Sequence, residues 1–379
     1  MHIGFLTPEY PSLSKTYGGI GTSIKNLASV LISSGHDVSV FLYAQDTDEV
    51  IELDKIKFLK IKNENVKGLS WWFTRKKIEK LINKEVNKNG LDLVEGSDWT
   101  GMTAFMKIKC PVLLKLHGSD AYFCHIDGRK QKLKNFLFEK YALQSADAIV
   151  SVSQYTADLT KKLFNLKIPM KVIHNGIDPS VFSVASADAL VNGRLLYFGT
   201  LIRKKGVLEL PYIFNKVVED YPNASLYLVG GDSFDISTGS SSTWELMKPL
   251  FSDKALKQTK YLGKVPHEQM QEHIKQAHVC VFPSYAEAFP ISWLEAMACQ
   301  KAIAGSNLGW AQEAIENKVS GLLASPSNHK EYANNIKRFL SDNKYTHIIS
   351  EAARKRVIEL FSADKIAKDT ISYYEEVLR

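Results

Sequence analysis

Two glutamates with seven residues between them, Glu287 and Glu295, have the types and spacing that could do chemistry in this sequence. The first follows an apolar run from Cys280 to Phe282 that predicts the end of a buried parallel strand, and Pro290 suits the first turn of a helix that carries the second. In open α/β sheets, ligands bind at the carboxyl ends of strands, and a helix N-terminus offers free N–H groups to an anion. Carboxylates beside a bound anion would accept hydrogen bonds from hydroxyl groups of the same ligand. The alternative is a pair of solvated carboxylates.

The residues around these glutamates extend the pattern. Phe289 stands two positions after the first glutamate, and Leu294-Glu295-Ala296-Met297-Ala298 surrounds the second. The stretch resembles the large group 1 family of retaining glycosyltransferases, which includes glycogen, sucrose and lipid-sugar synthases. The resemblance implies that Glu287 lies against the donor sugar, that Glu295 holds the ribose hydroxyls, and that Phe289, Pro290 and Ile291 belong to the donor site. The family usually has glycine where this chain has Pro290, and because proline has no N–H, one backbone donor is missing or moved.

Length and composition limit the possible number of domains and the possible cellular compartment. With 379 residues and 45% hydrophobic content, two domains of roughly 170 residues each are expected. The chain opens into a strand at 2–7 without the pattern of a signal peptide, and no apolar run approaches the ~20 residues of a membrane span. Four cysteines lack the spacing of a zinc site or redox pair, which favours free thiols in a reducing cytoplasm. We expect a cytoplasmic protein, at most peripheral at the inner face of the membrane, with no nucleic-acid partner.

A glycine loop, Gly18-Gly19-x-Gly21, joins strand 2–7 to a helix that ends near Gly35. It lacks the spacing of a dinucleotide fingerprint, which excludes a dinucleotide oxidoreductase. It resembles the N-terminal loop of the family, which implies that Gly19 approaches the donor diphosphate and that Tyr17 and Gly18 lie on the acceptor side. A plain tight turn is the alternative.

Strand 112–116 delivers His117-Gly118-Ser119-Asp120 at its carboxyl end. The family places a histidine in this motif, in contact with donor sugar and phosphate, which implies a catalytic role for His117. Asp98 follows strand 91–95, and with Asp120 it is a candidate on the acceptor side. A helix is expected near 100–108.

The second half opens with strand 194–199 and three consecutive basic residues, 203–205, before a helix. Such a cluster suits a diphosphate, although a solvated surface turn is the alternative. The resemblance implies that Lys205 binds the diphosphate. Thr200 replaces the usual arginine of the family, so Arg203 is the candidate substitute, and Val265 is the residue whose backbone meets the nucleotide base. The Ser/Gly-rich stretch 233–243 is expected to be a flexible loop.

The resemblance implies the GT-B architecture, with two doubly wound Rossmann-like α/β domains that face each other across a cleft. We expect an acceptor domain at 1–178, a linker at 179–193 and a nucleotide-sugar domain at 194–362. Helix 363–379 is expected to pack back on the first domain. We expect neither a metal nor another cofactor, with Lys205, Arg203 and helix N-termini neutralising the diphosphate.

These residues favour a retaining, metal-independent transfer of a sugar from a nucleotide-diphospho-sugar, with a UDP-sugar preferred, to a glycan, lipid-linked or small-molecule acceptor. One alternative is a sugar-nucleotide epimerase or hydrolase of the same fold. Another is a non-catalytic module that binds sugar nucleotides.

Helix 71–89 carries an apolar stripe and, opposite to it, a face of five lysines, Lys76, Lys77, Lys80, Lys84 and Lys88. Segment 55–88 contains eleven Lys and Arg residues against three Glu. One interpretation is a core stripe with a solvated basic face. The other is that this surface meets anionic lipid or an anionic glycan acceptor.

Overall fold

The computed structural model describes residues 1–14, 18–184 and 189–379. The chain forms two compact units, one made of residues 1–176 with 363–379 and the other of residues 177–362. The division therefore falls after Gly176 and after Ser362. Tyr17 and part of the expected linker at 179–193 lie outside the described residues.

Among the described residues of the first unit, eight strands form one sheet: β1 (His2–Thr7), β2 (Asp37–Gln45), β3 (Glu49–Leu53), β4 (Ile56–Lys62), β5 (Leu93–Ser97), β6 (Val112–Leu116), β7 (Ala148–Ser151) and β8 (Lys171–Val172). Their order is β3-β4-β2-β1-β5-β6-β7-β8, and every pair is parallel except β3 with β4. The central strands are nearly continuous apolar runs, as parallel strands covered on both faces require. β3, which is mostly exposed, has no counterpart in the sequence analysis.

Helices pack against this sheet: α1 (Gly19–Ser33), α2 (Ser70–Asn89), α3 (Asp120–Ile126), α4 (Leu133–Ser145) and α5 (Gln154–Phe164). The helix expected near 100–108 is wrong. A short 3-10 turn at Trp99–Gly101 takes its place, with positive φ at Thr100 and Gly101. A Cβ at Gly101 would lie 2.3 Å from the carbonyl carbon of Phe138. The backbone of α4 therefore packs directly on this turn, which leaves no room for a regular helix there.

The second unit contains a parallel sheet with the order β11-β10-β9-β12-β13-β14. Its strands are β9 (Arg194–Phe198), β10 (Ser225–Val229), β11 (Thr259–Tyr261), β12 (Val279–Phe282), β13 (Ala302–Ser306) and β14 (Leu322–Ala324). Its helices are α6 (Leu210–Asp220), α7 (Thr243–Met247), α8 (Asp253–Lys257), α9 (His267–Gln276), α10 (Ile291–Ala298), α11 (Ala311–Ala314), α12 (His329–Ser341) and α13 (Asn343–Leu360). None of the helices in the described ranges combines the length and the apolar character needed to cross a bilayer.

Both sheets reverse their strand order beside the first strand of the unit. In the first unit the chain leaves β1 for β2 on one side and later places β5 on the other. In the second unit β10 lies on one side of β9 and β12 on the other. Such a switch point leaves a crevice at the carboxyl ends of the two central strands, where open α/β sheets bind ligands.

The last helix, α14 (Ala363–Val377), returns to the first unit. Ile366, Ala367 and Tyr374 join the core cluster that contains Ile24 and Leu27 of α1. The hydroxyl of Tyr374 donates a hydrogen bond of 2.5 Å to the buried carboxylate of Glu95 on β5. The C-terminal helix is thus part of the core of the first unit.

Candidate active site

Two loops at the switch point of the second unit are fixed to each other through their backbones. The turn at 203–205 follows β9 and ends at Gly206, whose φ is +63°. A Cβ at Gly206 would lie 1.8 Å from the carbonyl oxygen of Pro283, so only glycine fits there. The carbonyl of Lys204 accepts the N–H groups of Tyr285 and Ala286 at 2.9 and 3.1 Å. The basic turn and the loop after β12 therefore form one rigid edge.

An ion pair lies on this edge. Lys205 Nζ is 2.9 Å from Glu287 Oε1, and the hydroxyl of Ser284 donates to the same oxygen at 3.2 Å. The side chains of Lys205 and Glu287 are 23% and 14% exposed. Their charges are therefore shielded but reachable from solvent, and an anionic ligand here would share Lys205 with Glu287.

Glu295 lies beside this pair on α10 and is buried. Burial raises the pKa of Glu295 to about 8, against the opposing effect of the charge on Lys205. A carboxyl group with this pKa is largely protonated at neutral pH and can donate as well as accept a hydrogen bond. Both properties suit the recognition of a hydroxyl pair.

The N-terminus of α10 follows directly. Pro290 is the N-cap rather than a first-turn residue, Ile291 begins the helix, and no side chain caps it within the described part of the chain. The ring of Phe289 is buried against Phe361, with 5.3 Å between centroids. Phe289 therefore packs the start of α10 in place rather than pointing into solvent.

Arg203 is engaged elsewhere. Its Nε and Nη2 form a forked pair with the two carboxylate oxygens of Asp235, at 2.8 and 2.9 Å. Asp235 is 2% exposed, and its hydrogen bond from Arg203 lowers its pKa to about 2. The same carboxylate accepts from the N–H and hydroxyl of Thr238, and Asp235 bridges to Ser240. The expectation of a flexible loop at 233–243 is therefore wrong, because Asp235 ties its centre to Arg203.

His117 and Asp98 are brought together in the first unit. The buried Asp98 follows β5, and its Oδ1 accepts the backbone N–H of His117 at 2.9 Å. Burial raises the pKa of Asp98 to about 7. Burial, with the nearby Lys115, lowers the pKa of His117 to about 3. The imidazole is therefore neutral at physiological pH, with one nitrogen that donates and one that accepts.

The loop after His117 is set by α4. Gly118 has a φ of +91°, and a Cβ there would lie 2.7 Å from the ring of Phe123. The buried carboxylate of Glu139 accepts the N–H groups of Asp120 and Ala121 at 3.0 and 3.1 Å. The carboxylate of Asp120 in turn accepts from the amides of Gln131 and Asn135. Asp120 is thus held in an internal network.

At the N-terminus of α1, Gly18 is the N-cap and Gly19 the first helical residue. A Cβ at Gly19 would meet no atom of the described residues within 4 Å. The N–H of Gly21 already donates to the carboxylate of Glu9 at 2.9 Å. The predicted acceptor-side residue Tyr17 lies outside the described residues.

Val265 lies partly exposed between β11 and α9 in the second unit. Across residues 1–14, 18–184 and 189–379, no cluster of His, Cys, Asp and Glu has an arrangement that could hold a metal ion.

Comparisons with known proteins cover both units. Residues 191–356 match the family described as glycosyl transferases group 1, and residues 17–181 match glycosyltransferase family 4. The chain belongs to the group 1 glycosyltransferases. An uncharacterized glycosyltransferase of Methanocaldococcus jannaschii is 26% identical over 99% of this chain and 98% of its own length.

Solved structures show that the fold of this glycosyltransferase is GT-B. The sucrose-phosphate synthase of Thermosynechococcus elongatus superposes with a TM-score of 0.81 at 22% identity, over 99% of this chain and 98% of its own. Anabaena HepE in complex with UDP-glucose superposes with a TM-score of 0.76 at 19% identity, over 99% and 100%. The predicted fold class is therefore confirmed.

In this glycosyltransferase, the structure groups the predicted donor residues unevenly. Lys205, Glu287 and Glu295 share one site, whereas Arg203 is paired with Asp235. Four further residues were missed by the sequence analysis, namely Glu9, Glu139, Asp235 and Ser284. Asp235 stands three residues before a threonine in a Ser/Gly-rich stretch, a turn signal that would have marked it. Glu9 and Glu139 act through distant backbone groups, and no local pattern marks them.

Proposed function

We propose that the chain is a retaining, metal-independent glycosyltransferase that moves a sugar from a UDP-sugar to a hydroxyl group of a glycan, lipid-linked or small-molecule acceptor. The observation that carries the proposal is the Lys205–Glu287 pair beside the buried Glu295, at the switch point of the second sheet. This site offers a cation for phosphate and two carboxyl groups for hydroxyls.

Four groups bind the nucleotide end of the donor. Lys205 stabilises the negative charge that grows on the leaving diphosphate, with the uncapped N-terminus of α10 as a second positive pole. These groups carry out the neutralisation that a metal performs in other transferases. Glu295 takes the ribose hydroxyls, and the backbone of Val265 takes the base.

Glu287 and His117 contact the sugar of the donor. Glu287 is held by Lys205 and Ser284, which fixes the direction of its carboxylate for a contact with a sugar hydroxyl. His117 is neutral and fixed through its backbone by Asp98, which suits a hydrogen-bonding contact with the sugar and the phosphate. Gly19 leaves room for the diphosphate, and Asp98 is the candidate for an acceptor hydroxyl.

Arg203 is assigned a supporting part. Its forked pair with Asp235 fixes the loop that follows β10, and a remaining guanidinium nitrogen is still able to reach a phosphate. We therefore assign the larger share of phosphate binding to Lys205.

Two observations support the choice of donor and compartment. The solved structure of Anabaena HepE holds UDP-glucose on the same fold. The four cysteines of the chain carry free thiols, which fits work in a reducing cytoplasm.

The test is incubation with a panel of nucleotide sugars and candidate acceptors, with release of free nucleotide as the readout and Lys205→Ala as the control. Acceptor-dependent release of UDP with retention at the anomeric carbon, followed by NMR, is expected. EDTA should leave the rate unchanged, and Mn²⁺ should not raise it. Conversion of the sugar without an acceptor would indicate an epimerase or hydrolase, and nucleotide binding without any turnover would indicate a binding module.

A further inference from the structure

Helix α4 exposes an apolar stripe on its outer side. Leu133, Leu137 and Tyr141 follow each other at intervals of four residues and are 71%, 51% and 45% exposed. The opposite side of the helix is buried and carries Glu139 and Ala142. Three large apolar side chains in one exposed row are more than the packing of this unit requires.

A second exposed group lies beside this stripe at the start of α2. Leu69, Trp72 and Phe73 are each more than a third exposed. Aromatic contacts join the two groups, because Trp71 packs on Phe138 at 4.9 Å and Phe105 stacks on Tyr141 at 4.4 Å. We call the set Leu69, Trp72, Phe73, Leu133, Leu137 and Tyr141 the α2–α4 face.

The charge around the α2–α4 face is positive. Segment 127–140 has five basic residues; Arg129 among them pairs with Asp127, and the other acidic residue, Glu139, is buried. Lys130, Lys132 and Lys134 are exposed, and in the described part of the chain none of them forms an ion pair. The ammonium group of Lys134 lies 5.2 Å from the ring centre of Trp71, which joins the charge to the aromatic group.

The lysine face of α2, proposed from the sequence as the anionic contact, differs from this face. Lys77 pairs with Asp48 and Glu64, and Lys76 pairs with Glu79. Part of its charge is therefore neutralised within the protein. Beside the α2–α4 face, in contrast, the exposed Lys130, Lys132 and Lys134 form no ion pair with any described residue.

We propose that the α2–α4 face docks on an anionic lipid bilayer. Leucine, tryptophan and phenylalanine side chains enter the boundary between headgroups and acyl chains, and tyrosine and tryptophan are the residues that settle at that boundary. The lysines lie at the level of the lipid phosphates, with their stems along the apolar surface. The one-sided charge favours an anionic membrane over a protein partner, whose interface would carry groups of both signs.

The position of the face connects the membrane to the active-site loop. The buried side of α4 carries Glu139, which accepts the N–H groups that follow the His117 loop. The docked side and this loop are thus separated by the width of one helix, about 10 Å.

Sedimentation of the full chain with vesicles tests the proposal. Vesicles of phosphatidylglycerol and phosphatidylcholine should bind the protein, and vesicles of phosphatidylcholine alone should bind it much less. Lys130→Gln/Lys132→Gln should lower the partition coefficient on anionic vesicles about 25-fold, since each lysine near such a surface contributes a factor of about five. Lys254→Gln/Lys257→Gln, which removes two exposed lysines from α8, is the matched control and should bind as the wild type does.

A second pair of variants tests the apolar contribution. Leu133→Ser/Leu137→Ser should lower the partition coefficient more than tenfold, because each substitution removes the favourable transfer free energy of a leucine side chain that enters the lipid. Ile348→Ser/Ile358→Ser, at two exposed isoleucines of α13, should leave it unchanged. Circular dichroism confirms that each variant is folded.

Three results would overturn the proposal. These are no binding of the wild type to anionic vesicles, equal losses in the α4 variants and their controls, or a dimer that Leu133→Ser/Leu137→Ser dissociates without a change in vesicle binding. The last would make the face a protein interface. Because no donor or acceptor is present, these outcomes do not depend on whether the transferase proposal is correct.

Discussion

The Lys205–Glu287 pair makes the sharpest prediction, because a diphosphate and Glu287 compete for one ammonium group. Lys205→Ala removes a charge-assisted contact that is typically worth about 1.5–3 kcal/mol, so UDP affinity should fall roughly ten- to 150-fold. The variant also leaves the Glu287 carboxylate without its cation beside the phosphates, which adds repulsion.

Glu287→Gln should have the opposite effect on nucleotide binding. Lys205 then gives up no ion pair when UDP binds. Both side chains are less than one quarter exposed, and a pair with partial access to solvent is worth about 1 kcal/mol after screening. UDP should therefore bind roughly fivefold more tightly, while kcat falls because the contact to the sugar is lost.

Calorimetric titration with UDP measures both effects, with Lys254→Ala on α8 as a charge-matched control in the same unit. The double variant Lys205→Ala/Glu287→Gln should bind UDP better than Lys205→Ala alone, since the negative charge of Glu287 is gone. Wild-type affinity in Lys205→Ala, or equal losses in both single variants, would refute the reasoning.

The remaining predictions concern single residues. Burial raises the pKa of Glu295 to about 8, so the folded chain keeps a proton that the unfolded chain releases at the ordinary value of 4.5. As the pH rises from 4.5 to 8, the free energy of unfolding should therefore fall more steeply in the wild type than in Glu295→Gln. Melting temperatures that change with pH in parallel in the two proteins would contradict this. Gly206→Ala should destabilise the protein in urea and weaken UDP binding more than Gly128→Ala does: both glycines have a φ near +63°, but only a Cβ at Gly206 meets the carbonyl of Pro283. His117→Ala should lower kcat about 10²-fold, as loss of one preorganised hydrogen-bonding group does, and leave UDP affinity as it was; equal losses in both would place the side chain at the nucleotide.

The resemblance to the family predicts that Lys205, Glu287 and Glu295 share the donor site, and local signals place Glu287 and Glu295. An apolar run places Glu287 at a strand end, and the helix after Pro290 carries Glu295. Two neighbouring parallel strands then bring their carboxyl ends to the same edge.

The partners of Arg203 and Gly21 could not be found in this way. Asp235 lies 32 residues from Arg203, and Glu9 reaches Gly21 across a loop. Such pairs depend on tertiary packing, which residue propensity and hydrophobic periodicity do not report. The failed helix near 100–108 has the same origin, because the backbone of α4 against Gly101 decides the local conformation.

The return of α14 to the first unit has a consequence for synthesis on the ribosome. Residues 177–362, which make up the whole second unit, are translated between the two parts of the first. At typical elongation rates this interval lasts roughly 10–40 s. During that time the α1 surface that Ile366 and Tyr374 later cover is exposed to solvent, and Glu95 lacks the hydrogen bond from Tyr374. The second unit can therefore finish folding before the first. A nascent chain that stalls before α14 is made exposes the apolar surface of α1 to chaperones.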